Sequence, residues 1–190
     1  MINLFIEIIA VISAILYLLL AAKEDVKCWY AAIISSLLYF FIMYDAGLIM
    51  EAYLQIFYII MALYGLLQWK KLIQINLNNR IRTWSNIQHS ITISSVIILA
   101  ILTGFILTKY TNAALPFLDA FTSWGAIITT YMVAKKILEN WIYWFVIDAI
   151  SIYLFLSRGL YLTSILFLMY LIIICFGYIA WRKKYLESSV

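Results

Sequence analysis

The sequence predicts an all-α integral membrane protein with seven transmembrane helices, arranged as 3+1+3 with two parallel repeats. Three observations predict this fold class: the apolar composition, the lengths of the apolar runs and a repeat at a spacing of 112 residues. Of the 190 residues, 67% are hydrophobic and only 12% are charged. Soluble domains of this size do not have such a composition, so the chain is predicted to lie in a membrane.

Seven continuous apolar runs are long enough to cross about 30 Å of hydrocarbon as helices. They lie at about residues 3–21, 28–44, 48–68, 90–108, 116–134, 140–156 and 160–180. The first run lacks the basic segment that precedes a cleaved signal, so it is predicted to be a true span. An odd number of spans places the two termini on opposite sides of the membrane.

The basic residues are distributed unevenly between the two sides of this topology. With the N-terminus outside, the inner side carries Lys23, Lys27, Lys70, Lys71, Arg80, Arg82, Lys135, Lys136, Arg182, Lys183 and Lys184. The outer side then carries only Lys109 and Arg158. Because inner loops carry an excess of basic residues, the sequence predicts an outer N-terminus and a cytoplasmic C-terminus. The net charge of +4 is then a sign of topology, and nucleic acid is not expected as a partner.

An internal repeat appears when the chain is aligned with itself at an offset of 112 residues. Identical residues recur at Lys23 and Lys135, Trp29 and Trp141, Tyr58 and Tyr170, Gly65 and Gly177, and Trp69 and Trp181. The distribution of basic residues gives both three-helix repeats the same orientation. Because three is odd, a single further span must join them, and the fourth run supplies it. Parallel repeats of this kind place a substrate between them, near the middle of the membrane.

The repeat also divides the chain. Residues 1–71 form the first three-helix repeat, and residues 72–114 form a cytoplasmic linker with the inverting fourth helix. Residues 115–184 form the second repeat, and residues 185–190 form a cytoplasmic tail. The charges of residues 23–27 are expected to be solvated, while Trp29 and Trp69 are expected at the membrane interface, where aromatic residues are enriched.

The sixth helix carries the strongest candidate site. Trp141, Trp144 and Asp148 are spaced i, i+3 and i+7, which places them on one helix face. A carboxylate within a span is costly and indicates a functional site. Trp141 has a tryptophan counterpart in the first repeat, whereas Trp144 and Asp148 align with Ala32 and Ser36. Trp144 and Asp148 are therefore predicted to supply one-sided recognition, with Trp141 partly scaffold.

Other polar groups extend this candidate site. On the third helix, Gln55 and Tyr58 share a face, and Gln55 is expected either to contact the substrate or to bond to a neighbouring helix. Tyr170 repeats Tyr58 in the seventh helix. On the fifth helix, Asp119 and Thr122 share a face, and Asp119 is either a ligand contact or a partner of the helix dipole.

The chemistry of the expected ligand follows from these side chains. Aromatic faces stack on flat rings and attract cations, while carboxylates and amides bind hydroxyl groups. No Lys or Arg lies deep in any span, so a neutral or cationic aromatic solute is expected. No cofactor is expected, and His89 alone, without a cluster of Cys or carboxylate residues, makes no metal site. Cys28 and Cys175 are expected to be reduced packing residues.

Five motifs in combination resemble the PnuC family of bacterial vitamin transporters. They are Asn140-Trp141-x-x-Trp144-x-x-x-Asp148, Ala114-Leu115-Pro116-Phe117-Leu118-Asp119-Ala120, Gly159-Leu160-Tyr161-Leu162-Thr163 with Gly177-x-x-x-Trp181-Arg182, and Tyr64-Gly65-x-x-Gln68-Trp69. The resemblance covers nearly the whole chain and implies a SWEET-like 3+1+3 fold. It also implies Trp144 and Asp148, and more weakly Asn140 and Trp141, as ligand contacts.

The function that the resemblance implies is facilitated diffusion of nicotinamide riboside across the bacterial inner membrane, with trapping by a separate cytoplasmic kinase. Relatives carry thiamine or riboflavin, so these vitamins are alternative substrates. Membrane lipid is the other expected partner, and homo-oligomer formation stays open. Proton-coupled transport through Asp148 is a further alternative. An intramembrane enzyme using Asp148 or Asp119 is disfavoured, because no histidine or paired acid stands at helical spacing from either.

Overall fold

The computed structural model of the protein describes residues 4–45, 49–74, 81–110, 115–157 and 161–188. These residues form seven helices and no strand. The helices are α1 (Leu4–Ala22), α2 (Cys28–Asp45), α3 (Ile49–Gln74), α4 (Asn86–Tyr110), α5 (Pro116–Ala134), α6 (Asn140–Ser157) and α7 (Tyr161–Ser188). The predicted all-α architecture with seven helices is confirmed. Arg80, Ala114, Arg158, Gly159 and Leu160, which entered the basic count or the motifs, lie outside the described residues.

Two helices extend well past the apolar runs that predicted them. The run at 48–68 becomes α3, which ends at Gln74, and the run at 160–180 becomes α7, which ends at Ser188. In both helices the added turns begin with a tryptophan and a group of basic residues. The periodic backbone hydrogen bonds therefore continue after the hydropathy has fallen, because Lys, Arg and Gln are good helix formers.

Local sequence explains where two of the helices begin. Ser85 and Gln88 form a capping box before α4: the Ser85 backbone N–H donates to Gln88 Oε1 at 2.9 Å, and the Gln88 N–H donates to Ser85 Oγ at 3.4 Å. Helix α5 has Pro116 in its first turn, where a missing N–H costs no helical hydrogen bond.

Six helices form a closed ring among the described residues. Going round it, α1 contacts α2, α2 contacts α3, α3 contacts α5, α5 contacts α6, α6 contacts α7, and α7 returns to α1. Helix α4 lies outside the ring and packs against α5. We refer to α1–α3 as the first unit and α5–α7 as the second unit. The two units meet twice, through α1 with α7 and through α3 with α5.

One end of the ring carries the loops at residues 23–27 and 135–139 and the C-terminal turns of α3 and α7, and we call it the basic end. Both loops have the same backbone geometry. Glu24 and Lys136 are the non-glycine residues with positive φ in the described chain, at 56° and 54°. The Glu24 N–H donates to the Ala21 carbonyl, and the Lys136 N–H donates to the Val133 carbonyl, each at 3.0 Å.

The linker before α4 is anchored to the second of these loops. The Arg82 N–H donates to the Lys136 carbonyl at 2.9 Å, and the Leu138 N–H donates to the Arg82 carbonyl at 2.8 Å. Arg82 and Ile137 thereby form an isolated parallel bridge. The described part of the linker, residues 81–85, therefore lies against the basic end.

The outer surface of the helices is apolar, as hydrocarbon requires. Exposed side chains include Ile60, Leu67, Phe105, Phe176 and Ile179. Within the described residues, three segments are long and apolar enough to span a membrane: Leu54–Gln74, Asn86–Tyr110 and Ser164–Glu187. Shorter apolar helices lie at Ile8–Ala22, Cys28–Ile42 and Asn140–Leu154.

Candidate functional site

Four tryptophans fill the interior of the basic end: Trp29, Trp69, Trp141 and Trp181, each at most 1% exposed. They form a continuous chain of ring contacts. Trp29 meets Trp69 edge-on at 5.4 Å between centroids, Trp141 meets Trp181 edge-on at 5.5 Å, and Trp69 meets Trp181 at 6.1 Å. The expectation that Trp29 and Trp69 lie at the membrane interface is wrong, because both are buried inside the protein. Trp29 is covered by Gly65 and Trp69 of its own unit, and Trp69 also packs against Trp181 of the other unit.

Two glycines make room for this tryptophan cluster. A Cβ added at Gly65 would overlap the Trp29 ring, and a Cβ added at Gly177 would overlap the Trp141 ring. Each glycine thus lets its helix approach an indole more closely than any side chain would permit. Gly65 and Gly177, like Trp29 and Trp141, are separated by the 112-residue offset.

Hydrogen bonds from the tryptophans connect the two units. Trp69 Nε1 donates to the Val133 carbonyl at 3.3 Å, and Trp181 Nε1 donates to the Ala21 carbonyl at 2.9 Å. The donors and the acceptors are again related by 112 residues. The indole N–H groups of Trp29 and Trp141 are buried and have no partner within the described part of the chain.

Asp148 lies on α6, two turns from Trp141 and further from the basic end. It is 4% exposed, and within the described residues it forms no hydrogen bond or ion pair. Its charge is within electrostatic range of Tyr58 on α3 and Tyr170 on α7. Among the described residues, no cation lies close enough to interact with it. The structure thus brings three of the predicted site residues together: Asp148 and Tyr170 from the second unit, and Tyr58 from the first.

Three further predicted residues lie on the same elements. Trp144 is half-buried and packs against the core cluster that includes the four buried tryptophans. Gln55 is half-buried one turn from Tyr58, and its amide forms no hydrogen bond within the described part of the chain. Asn140 is fully buried, and its Nδ2 donates to the Ile137 carbonyl at 2.5 Å, while its Oδ1 has no partner among the described residues.

On α5, the side chain of Thr122 is used locally. Thr122 Oγ1 donates within its own helix to the carbonyls of Leu118 and Asp119, at 3.0 Å each. The hydroxyl can still accept a hydrogen bond, but its proton is occupied. Asp119 is half-buried in the first turn of α5. That position agrees with the helix-dipole alternative, so Asp119 and Thr122 stay predictions as ligand contacts.

Sequence reasoning missed two tyrosines of this interior. Tyr17 on α1 is within electrostatic range of Tyr58, and Tyr39 on α2 is within electrostatic range of Tyr170. Their repeat counterparts are Thr129 and Ser151, so both are one-sided in the same way as Asp148. Applying the comparison of repeats to every tyrosine would have identified them.

The remaining chemical groups give no alternative centre. His89 shares a short contact of 2.9 Å between its Nδ1 and the Tyr143 hydroxyl, and its Nε2 lies 3.9 Å from Glu139 Oε1. The described residues hold no group of three or more potential metal ligands. Cys28 is buried, as expected of a packing residue, whereas Cys175 is exposed, so the expectation of a packing role is wrong for Cys175. A groove of about 350 Å³ between α6 and α7 is apolar, and its rim is exposed like the rest of the outer surface.

Similarity to known proteins covers most of the chain. The family model described as "Nicotinamide mononucleotide transporter" matches residues 4–183. The chain is similar to the nicotinamide riboside transporters PnuC of Escherichia coli (strain K12) and of Shigella flexneri. Each is 22% identical over 189 residues, covering 85% of this chain and 78% of the relative. A solved structure of the vitamin B3 transporter PnuC matches with a TM-score of 0.76 and 20% identity, covering 97% of this chain and 83% of that chain.

Proposed function

This chain belongs to the PnuC family, and on that premise we propose that it carries nicotinamide riboside across the membrane by facilitated diffusion. The named relatives are transporters, so the prediction of a transport protein rather than an enzyme is confirmed. The family model is described by the mononucleotide, whereas the curated relatives are named for the riboside. These two solutes differ by one phosphate, and the charges inside the ring favour one of them.

Asp148 is the observation that carries this choice. The riboside has a pyridinium ring with one positive charge, and its sugar has hydroxyl groups. A buried carboxylate without a cation nearby complements that charge, and the hydroxyls of Tyr58 and Tyr170 are suitable partners for the sugar. A phosphate would add negative charge beside Asp148, where no cation among the described residues compensates it. The interior therefore favours the riboside over the mononucleotide.

The transport path in this proposal runs through the ring. We infer that the two units are parallel repeats joined by α4, that the basic end faces the cytoplasm of a bacterial cell, and that the N-terminus is outside. The matched glycine and tryptophan contacts support the repeat, and the concentration of Lys and Arg at the basic end supports the orientation. The protein would equilibrate its solute, and a separate cytoplasmic kinase would trap it.

Binding of four solutes to the purified protein tests the substrate. Nicotinamide riboside should bind more tightly than nicotinamide and the mononucleotide. Thiamine is the alternative that the family resemblance raises, and it is also a cationic aromatic solute. Tighter binding of thiamine than of the riboside would make thiamine the substrate and would still agree with recognition of a cation by Asp148. Tighter binding of the mononucleotide would contradict both the riboside as substrate and the argument from charge.

The role of charge can be isolated with the reduced, 1,4-dihydro form of the riboside, which is neutral and keeps the same sugar. The cationic riboside should bind at least about tenfold more tightly than this neutral form, because the buried carboxylate attracts the positive charge of the pyridinium ring. Equal affinities would remove Asp148 from recognition of the ring.

Uptake into liposomes tests the mechanism. Riboside should equilibrate with the lumen and arrive chemically intact, and an imposed pH gradient should not drive its accumulation. Accumulation that follows the gradient would establish proton coupling instead, and a chemically altered solute would point to an enzyme.

A further inference from the structure

A buried ion pair lies between the two units at the basic end. Lys136 Nζ is 2.8 Å from Glu24 Oε2, and the two side chains are 1% and 4% exposed. The same ammonium lies 4.6 Å from the centre of the Trp69 ring. The expectation that the charges of residues 23–27 are solvated is therefore wrong for Glu24. Burial lowers the pKa of Lys136, and the Glu24 carboxylate acts against this shift.

The position of this pair follows from the matched geometry of the two loops. Glu24 and Lys136 are 112 residues apart, and both take the left-handed conformation. Each residue therefore occupies the same place in its own unit, and the two meet where the units face each other. A second cation, Lys184 on α7, lies 3.0 Å from Glu24 Oε1 and is 41% exposed. Its counterpart in the first unit is Leu72.

The pair belongs to a set of contacts that closes the basic end. The hydrogen bonds of Trp69 and Trp181 cross between units at the same level, and the two indoles touch there. A solute that crosses the ring has to pass this layer, so the contacts between units must break and re-form during transport. We propose that the Glu24–Lys136 ion pair, with the Trp69–Trp181 contact behind it, is the gate at the basic end; this inference rests on the proposed transport function.

The energetics of a buried pair make this gate sensitive to the loss of one partner. In the closed protein each charge is compensated by the other, whereas in the open protein water can solvate both. Removing Glu24 leaves the ammonium of Lys136 buried without its carboxylate, which disfavours the closed form. Removing Lys136 has a smaller effect, because Lys184 still lies beside Glu24. Removing both leaves no orphaned charge from the pair.

Cys28 reports the state of this gate without any substrate. Its side chain is fully buried in the core cluster that includes Trp29, Trp69 and Trp181, whereas Cys175 is exposed. In a Cys175→Ser background, the rate at which a small water-soluble maleimide labels Cys28 measures how often the basic end opens. The measurement uses ligand-free protein in detergent, with size-exclusion chromatography to check that each variant is folded.

Four variants then give a double-mutant cycle with a matched control. Glu24→Gln should raise the labelling rate about tenfold or more, and Lys136→Met should raise it less. The double variant Glu24→Gln/Lys136→Met should return towards the original rate. Lys135→Met should leave the rate unchanged, because this neighbouring lysine lies over the Tyr64 and Tyr131 rings and outside the pair.

The outcomes separate the gate from the proposed function. A Glu24→Gln protein that labels at the original rate would overturn the gate, whichever solute is carried. If Glu24→Gln does not fold, the labelling rates of Lys136→Met and of the double variant are compared instead. A double variant that labels faster than Lys136→Met would also overturn the gate. Riboside binding by the unmodified protein is scored separately, and its failure would remove the substrate but leave the labelling result standing.

Discussion

The basic end and the middle of the ring differ in how far the first unit matches the second. At the basic end, contacts in the first unit recur in the second: Trp29 lies against Gly65 as Trp141 lies against Gly177. In the middle, the two units differ. Asp148 aligns with Ser36, and Tyr39 aligns with Ser151. The duplicated contacts pack the helices within each unit and, through the hydrogen bonds of Trp69 and Trp181, also join the two units. The unduplicated side chains Asp148 and Tyr39 are available to recognise a solute that itself has no symmetry.

This difference suggests where substitutions affect stability and where they affect binding. Changes at the matched positions of the basic end should act in pairs, with similar losses of stability in either unit. A change at an unmatched position should alter the affinity for the solute, whereas a change at its counterpart in the other unit should not. Each of the following predictions compares a residue with its counterpart, in order of decreasing effect.

The largest effect is expected at the matched tryptophans. Trp29→Ala and Trp141→Ala should each lower the free energy of unfolding by about 3–5 kcal/mol, because each leaves a cavity the size of an indole in a packed core. Thermal unfolding of the purified variants measures this. Trp144→Ala serves as the control and should cost less, since Trp144 is only half-buried. A variant at position 141 that unfolds like the original protein but loses riboside affinity would move Trp141 from scaffold to site.

A smaller paired loss is expected at the glycines that face these rings. Gly65→Ala and Gly177→Ala should each cost about 1–3 kcal/mol, because the added methyl group overlaps an indole that has no room to move. Gly125→Ala is the control, since its Cβ would be 3.0 Å from the flexible Cδ1 of Ile147. Equal unfolding temperatures for all three variants would refute the argument from close packing.

In the middle of the ring, Asp148→Asn should weaken riboside binding about ten- to a hundredfold, since it removes the charge and keeps the size. The matched variant Ser36→Ala should leave affinity nearly unchanged. Calorimetric titration with the riboside measures both. Comparable losses at the two positions would mean that recognition is shared between the units, contrary to the asymmetry described above.

The smallest effects are expected at the two tyrosines beside Asp148. Tyr58→Phe and Tyr170→Phe should each weaken riboside binding by a few-fold, which corresponds to the loss of one neutral hydrogen bond of about 1 kcal/mol. Because these residues are a matched pair facing an unmatched carboxylate, their losses need not be equal. Unchanged affinity in both variants would exclude the hydroxyls from the site.

Much of the fold followed from the sequence, because hydropathy and period depend on local composition. The seven runs predicted the seven helices, and α5 begins and ends where its run does. The burial of Trp69 did not follow, since a tryptophan beside Lys70 and Lys71 at a helix end is typical of the membrane interface. It is buried because another unit covers it, and hydropathy carries no record of that neighbour.

The candidate site was predictable only where it contains a residue type that is rare in membrane-spanning helices. A carboxylate in an apolar helix is conspicuous, so Asp148 was identified directly. Tyr17 and Tyr39 were not, because tyrosine is ordinary in a chain that contains 15 of them. The pairing of Glu24 with Lys136 was missed for a third reason: each charge looks solvated in its own loop, and only the docking of the units brings them together.

The opposite charges of Glu24 and Lys136 also bear on assembly. If two copies of the first unit docked in the same way, Glu24 would meet Glu24, and two copies of the second unit would bring Lys136 against Lys136. Both pairings place like charges in a buried position, at a cost that only the mixed pair avoids. The opposite charges therefore favour docking of a first unit on a second unit over docking of two identical units.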